Sequence, residues 1–160
     1  MAIASEICNT FKQEILVEGH NFTGGTDAFK LALYSSNSAS LGKATTAYAA
    51  PSSPTADPTD TYEVTTGGSS GYTGGGNTLT NIDPTLATDT AICDFSDTNW
   101  TSATFTARGL LLYNTTAITG FTTNRSILAI NFGGDKTVTS GTFTIEFPAA
   151  AASTAIIQLA

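Results

Sequence analysis

Two aspartates, Asp94 and Asp97, stand close together in the run CDFSDTNW. Paired carboxylates can serve a glycosidase as acid and nucleophile, or offer oxygen ligands to Ca²⁺. Asp94 alternates with Cys93 and Phe95, which places it on the solvent side of a strand. Asp97 falls where that strand turns, a position aspartate takes for local hydrogen bonding. The structural role therefore outweighs the catalytic one. A serine nucleophile needs a base, yet His20 in GHNF is the single histidine and no GxSxG elbow occurs. His20 reads as a surface or capping residue at a helix end, where a helix dipole favours it.

The remaining chemistry-bearing types are equally sparse. Cys8 and Cys93 lie far apart and make no metal spacing. One bridge between them is one reading and two buried thiols the favoured one. The glycines of GGSSGYTGGG match neither phosphate-binding pattern and no lysine follows them. That stretch reads as a connection into a strand at Thr78–Leu79, with Tyr72 as its anchor. Trp100, Tyr72 and Tyr113 offer a sugar-stacking platform, although aromatics in a β protein more often anchor a core or an interface. Arg108 sits inside the apolar run TSATFTARGLLLYN and is expected to pair with a carboxylate. Gly109 beside it marks a bulge or a close backbone approach. No catalytic residue, cofactor or metal ligand is assigned, and an enzyme is not expected. Four Asn-X-Ser/Thr sequons, at Asn21, Asn99, Asn114 and Asn124, read as products of a Ser- and Thr-rich composition.

The elements that would position these residues are mostly strands. Ile3, Ile7, Cys8, Phe11 and Ile15 form one stripe at helical spacing, which predicts a helix over residues 5–18 with Ser5 as its cap and Gly19 as its stop. From Asp27 the period becomes two, with Phe29, Leu31 and Leu33 alternating with Lys30, Ala32 and Tyr34 in a half-buried strand. Further strands are predicted at 90–95, 103–113, 126–132, 142–147 and 154–159. Gly133-Gly134-Asp135-Lys136 and Ser140-Gly141 serve as the turns between the later ones. The fold class is all-β: one antiparallel, jelly-roll-like β-sandwich domain over 1–160, with a single N-terminal α-helix. A long proline-rich loop, residues 42–61, contains Pro51, Pro54 and Pro58. It reads equally as an arm over a neighbouring subunit or as a surface loop.

Only 12% of the residues are charged, against about 25% in ordinary globular chains. So weakly charged a surface favours an assembled state. The formal net charge is −7, and the few lysines and arginines are scattered. Nucleic-acid backbones and anionic membranes both require clustered cations, so neither is an expected partner. No run approaches a membrane-spanning length and no charged leader opens the chain, so assembly in a cytoplasm is expected.

Several blocks, taken in order, carry a family likeness: SEICNTFKQEIL, HNFTGGTDAFKLALYSS, EV followed by GYTGGGNTL, WTSATFTARGLLLYN, NRSILAINFGGDKTVTSGTFTIEFP and the closing AIIQLA. Together they resemble a family of small virion structural proteins of tailed bacteriophages. The likeness covers nearly the whole chain. The proline-rich stretch and the Gly and Ser before Tyr72 are longer than that pattern. The resemblance implies a component of the virion and carries no settled activity that could be transferred to residues of this chain. Within that class the β-sandwich body, low charge and lack of an enzyme constellation favour a capsid decoration (cement) protein that binds the major capsid protein on the head exterior. A homo-oligomer, most simply a trimer, would then sit between capsomers. Its expected interface comprises Ile7, Phe11 and Ile15 of the helix, Pro51, Pro54 and Pro58 of the loop, the anchors Tyr72 and Trp100, and Arg108, Leu110 and Leu112 of the apolar strand. The alternatives are a tail, baseplate or fibre subunit, and a carbohydrate-binding module using Trp100.

Overall fold

Apolar residues at alternate positions build the strands, and two antiparallel sheets stack them into a sandwich-like body. The computed structural model describes residues 3–35, 41–48, 62–64 and 70–160. The elements run β1 (Glu6–Ile7), α1 (Asn9–Glu14), a 3₁₀ turn (Ile15–Val17), β2 (Phe29–Tyr34), β3 (Asn77–Thr78) and β4 (Asn81–Ala87). They continue with β5 (Thr90–Phe95), β6 (Thr98–Asn114), β7 (Arg125–Ile145) and β8 (Ile157–Leu159). The larger sheet has the order β1-β7-β6-β2-β3 and the smaller one β4-β5-β8.

The inter-sheet core gathers Phe29, Leu31 and Leu33 of β2, Leu110 and Leu112 of β6, Ile127 of β7, Cys93 and Phe95 of β5, and Phe11 of the helix. A second apolar layer lies on the other face of the large sheet. There Ala32, Tyr34, Leu111, Tyr113 and Ala129 pack with Ile3, Leu41 and Tyr48. β2 is therefore buried on both faces, not half-buried as its alternation suggests. The cover comes from residues 41–48, the start of the expected loop. Leu41 accepts a hydrogen bond from the Ala4 amide, and Tyr48 donates its own to Asn124. The remainder of that loop, with Pro51, Pro54 and Pro58, lies outside the described residues.

The helix is shorter than its stripe predicts. Ile3 packs on the large sheet, and Glu6–Ile7 pair with Ala129 and Leu128 as β1. Cys8 is the N-cap and makes no side-chain cap bond. Ser5, the expected cap, instead accepts a hydrogen bond from the Asn131 amide at 3.1 Å. Ile3 is buried and Ile7 half-buried by sheet contacts, so their helical spacing is coincidental.

β5 matches its expected range. The two expected strands at 126–132 and 142–147 are instead one strand, β7, and neither glycine turn reverses the chain. Ala107 pairs with Lys136 and Gly109 with Asn131, so residues 132–135 bulge opposite Arg108 alone. Gly133 takes the positive φ of +73° that this bulge needs. A second irregularity, between Ala103 and Phe105, places Ser140 at φ 47°. Thr142 to Phe147 does alternate as predicted, exposed Thr and Glu against half-buried Phe and Ile. Pro84 falls in β4, an edge strand, where its missing N–H costs no ladder bond.

Candidate functional site

Most of the expected interface residues belong to the chain's own core. Phe11, Tyr72, Trp100, Leu110 and Leu112 are all buried, and Ile7 and Ile15 are half-buried against the same cluster. Around β2 and the adjoining parts of β6 and β7 both faces of the large sheet are covered, so these side chains expected to reach a partner are used internally. Arg108 remains partly exposed and pairs with Asp135 at 3.4 Å, within the chain, as a lone arginine in an apolar strand should. Gly109 beside it shows both expected features. It follows the bulge, and a Cβ there would stand 2.5 Å from the Ile130 carbonyl.

The glycine-rich stretch does have a carboxylate beside it. Glu63 bridges to Tyr34 as an isolated β-pair and is buried. Its Oε1 accepts from the Tyr72 hydroxyl and the Gly75 amide, both at 2.7 Å, and its Oε2 from the Tyr48 hydroxyl at 3.0 Å. Tyr113 closes the set by donating to the Gly75 carbonyl at 2.7 Å. Tyr72 also accepts from the Leu33 amide at 3.0 Å. Gly76, at φ +70°, lets the chain run against β2 so closely that any Cβ would drive into the Leu31 carbonyl. Burial pushes the Glu63 carboxyl above its ordinary range, while its three donors act in the opposite sense. Burial likewise raises the hydroxyls of Tyr72 and Tyr113, so both stay protonated donors. The anchor role expected of Tyr72 holds. In the sequence Glu63 stands out only as the first residue of the EV block of the family likeness; nothing there marks its burial, because Tyr48 and Tyr113 reach it from distant segments.

His20 is buried, not a surface residue. Its Nε2 lies 2.8 Å from Glu14 Oε2 and its Nδ1 lies 3.1 Å from Asn114 Nδ2. Asn114 also donates that nitrogen to Asp27 at 2.7 Å and accepts the Thr116 amide on its oxygen. The amide group is thus fixed as a donor toward His20, so Nδ1 accepts and Nε2 carries the proton. Burial lowers the His20 pKa below its ordinary value, with the neighbouring Arg125 charge acting in the same sense. Arg125, itself fully buried, donates to the carbonyls of Gly19, Thr116 and Thr122 and lies over the Phe121 ring. The cluster binds the helix end to two loops, with His20 and Arg125 both buried.

Asp94 and Asp97 do not form a working pair. Asp94 is buried, not solvent-facing, and receives the Phe95 amide at 2.8 Å. Burial raises its pKa. Asp97 sits in the β5–β6 turn and holds the Phe147 amide, as expected of a turn aspartate. Both cysteines are free and buried, each pushed up to about 12 by burial, so neither is a thiolate nucleophile. Among the described residues no group of His, Cys, Asp and Glu is placed to hold a metal, and no helix is long and apolar enough to cross a membrane.

The exposed surface is where apolar groups remain unused. An apolar groove of about 120 Å³ opens between the small sheet and the helix end, lined by Ile15, Phe22, Pro84, Cys93, Ile157 and Leu159. Leu16, Val17, Leu86 and Leu159 stand out into solvent on the same elements. A scan against protein-family models, a search of curated proteins and a search of solved structures each find no match to this chain.

Proposed function

We propose that this chain is a structural subunit of a tailed-bacteriophage virion, and within it a decoration protein that clamps capsomers on the head exterior. The observation that carries the reading is the division of its side chains. The strongest polar groups, Glu63, His20 and Arg125, are tied up internally, while large apolar side chains stand exposed on a weakly charged surface. A subunit held in an assembly needs such surface, and an enzyme needs the reverse. The block likeness to small virion proteins supports the same reading. Clamping requires no chemistry, since modest contacts repeated over many equivalent sites give avidity. The major capsid protein is the partner, the oligomer a trimer, and the proline-rich stretch around Pro51, Pro54 and Pro58 a further contact. A jelly-roll-like winding of the strands belongs to the same proposal. Burial of Trp100 weighs against a sugar-binding platform. Locating and counting the protein in intact particles tests the proposal. Many copies spread over the head are expected, whereas a few copies at one vertex select a tail or baseplate subunit. A strict monomer in light scattering that also fails to bind empty heads overturns the clamp.

A further inference from the structure

The small sheet extends past its cover. Leu86, Ala91 and Leu159 lie side by side across β4, β5 and β8, in direct register, and so share one face. Strand periodicity puts Cys93 and Phe95 on that face too, and those two are buried in the inter-sheet core. At the other end the cover stops, and Leu86 is 71% and Leu159 53% exposed. The groove lies at this margin, with Ile15 and Phe22 forming its opposite wall. Leu16 and Val17, 83% and 57% exposed, follow Ile15 on the 3₁₀ turn. A dry cavity of about 150 Å³ accepts benzene, so a groove of about 120 Å³ has room for one leucine- or phenyl-sized group.

We infer that this groove docks an apolar side chain of a partner protein segment flanked by basic residues. The inference rests on the assembly-subunit reading above and adds the chemistry of the partner. Charge selects the occupant. The elements around the groove carry Glu18, Asp83 and Asp89 on their surface, and among the described residues Lys12 is the one exposed cation on the helix that leads into them. Glu14 is turned inward to His20, and Asp94 is buried. A second copy would set one acidic rim against another in a chain of net charge −7, and an anionic bilayer would be repelled. A segment with lysine or arginine beside its apolar anchor meets both the groove and its rim. The core of such a contact supplies affinity and the rim charges supply steering.

Fluorescence anisotropy with labelled synthetic peptides of equal length tests this on the full chain, using alternating Leu–Lys, Leu–Glu and Ser–Lys sequences. The Leu–Lys peptide is expected to bind saturably and more weakly at high salt. The double variant Leu86→Gln/Leu159→Gln should weaken it by about tenfold or more, as expected for loss of an apolar anchor. Asp83→Asn/Asp89→Asn should weaken it less and flatten the salt dependence. All four side chains are exposed, and asparagine at 83 keeps the oxygen that accepts the Gly24 amide at 2.6 Å, so both variants should retain the parent's denaturation curve. Equal binding of Ser–Lys, or no effect of the leucine variants, would show charge alone and overturn the inference. Equal binding of Leu–Glu removes the charge argument and overturns it as well. Self-association abolished by the leucine variants makes a second copy the occupant instead. Failure here with many copies found on the head sinks the groove and leaves the decoration reading standing.

Discussion

Glu63 joins parts of the chain that no local pattern connects. Two tyrosine hydroxyls and one amide point at its carboxylate, and each loses its acceptor if the carboxylate is removed. An orphaned buried donor costs about 1–3 kcal/mol, so Glu63→Ala should destabilise the fold by about 2–4 kcal/mol after the hydroxyls turn elsewhere. Glu63→Gln keeps an acceptor oxygen and should cost less. Tyr72→Phe removes one donor to Glu63 and also the acceptor of the Leu33 amide, for about 1–2 kcal/mol. Urea denaturation of the three variants measures the ranking, and a Glu63→Ala protein as stable as its parent would refute the bridging role of Glu63. The sequence leaves the burial of this residue unmarked for a physical reason. Burial of a carboxylate is decided by what surrounds it, and Tyr48 and Tyr113 arrive through the packing of the large sheet. His20 shows the same limit. Its place at the helix end is legible, but Asn114, which encloses it, comes from 94 residues away.

At the scale of elements, the β6–β7 hairpin is the frame of the molecule, and its glycines show what local signals mean. Positive-φ glycines suit both a chain reversal and a bulge, so GGDK reads as a turn when seen alone. The register decides between them, because pairing resumes at Lys136 opposite Ala107 and keeps the strand going. Where both flanks are polar, as for Thr90–Phe95, the pattern gives the extent of the strand but not its faces, since Asp94 is buried. Periodicity failed for Ile3 and Ile7, whose helical spacing hides an extended segment. Gly109 has no room for a side chain, since a Cβ would meet the Ile130 carbonyl at 2.5 Å and the Ile3 side chain at 3.0 Å. Gly134, in the open bulge, has nothing within 4 Å. Gly109→Ala should therefore cost about 1–3 kcal/mol by overpacking, while Gly134→Ala should stay within about 0.5 kcal/mol of the parent. Comparing their urea midpoints tests the pair. Equal midpoints would mean the hairpin can shift to admit a methyl group at Gly109.

For the whole molecule, stability should depend on pH through a few buried groups, because few charges exist and several of them lie inside. His20 is held neutral, with Nε2 donating to Glu14 and Nδ1 accepting from Asn114. A second proton would set Nδ1–H against the Asn114 amide protons, and burial penalises the charge besides. The folded pKa is therefore below the ordinary 6.5, so under pH 6.5 the unfolded chain takes up a proton that the folded one refuses. This contribution is full above 6.5 and declines as the pH falls below it. Glu63 and Asp94 act in the opposite direction. Their folded pKa values are raised above 4.5 and 3.8, so their contribution is full below those values and is lost as the pH rises through the raised ones. The total curve mixes both signs, and a difference between two proteins isolates one. His20→Gln keeps a donor and an acceptor in place but cannot be protonated, while the acids remain the same in both proteins. The stability advantage of the parent over His20→Gln, measured by urea denaturation in steps from pH 7.5 to about 5, should shrink steadily below pH 6.5. An advantage that stays constant would mean the folded and unfolded histidines titrate alike. An advantage that grows would mean Glu14 holds a charged imidazolium, and the neutral assignment of His20 would be wrong.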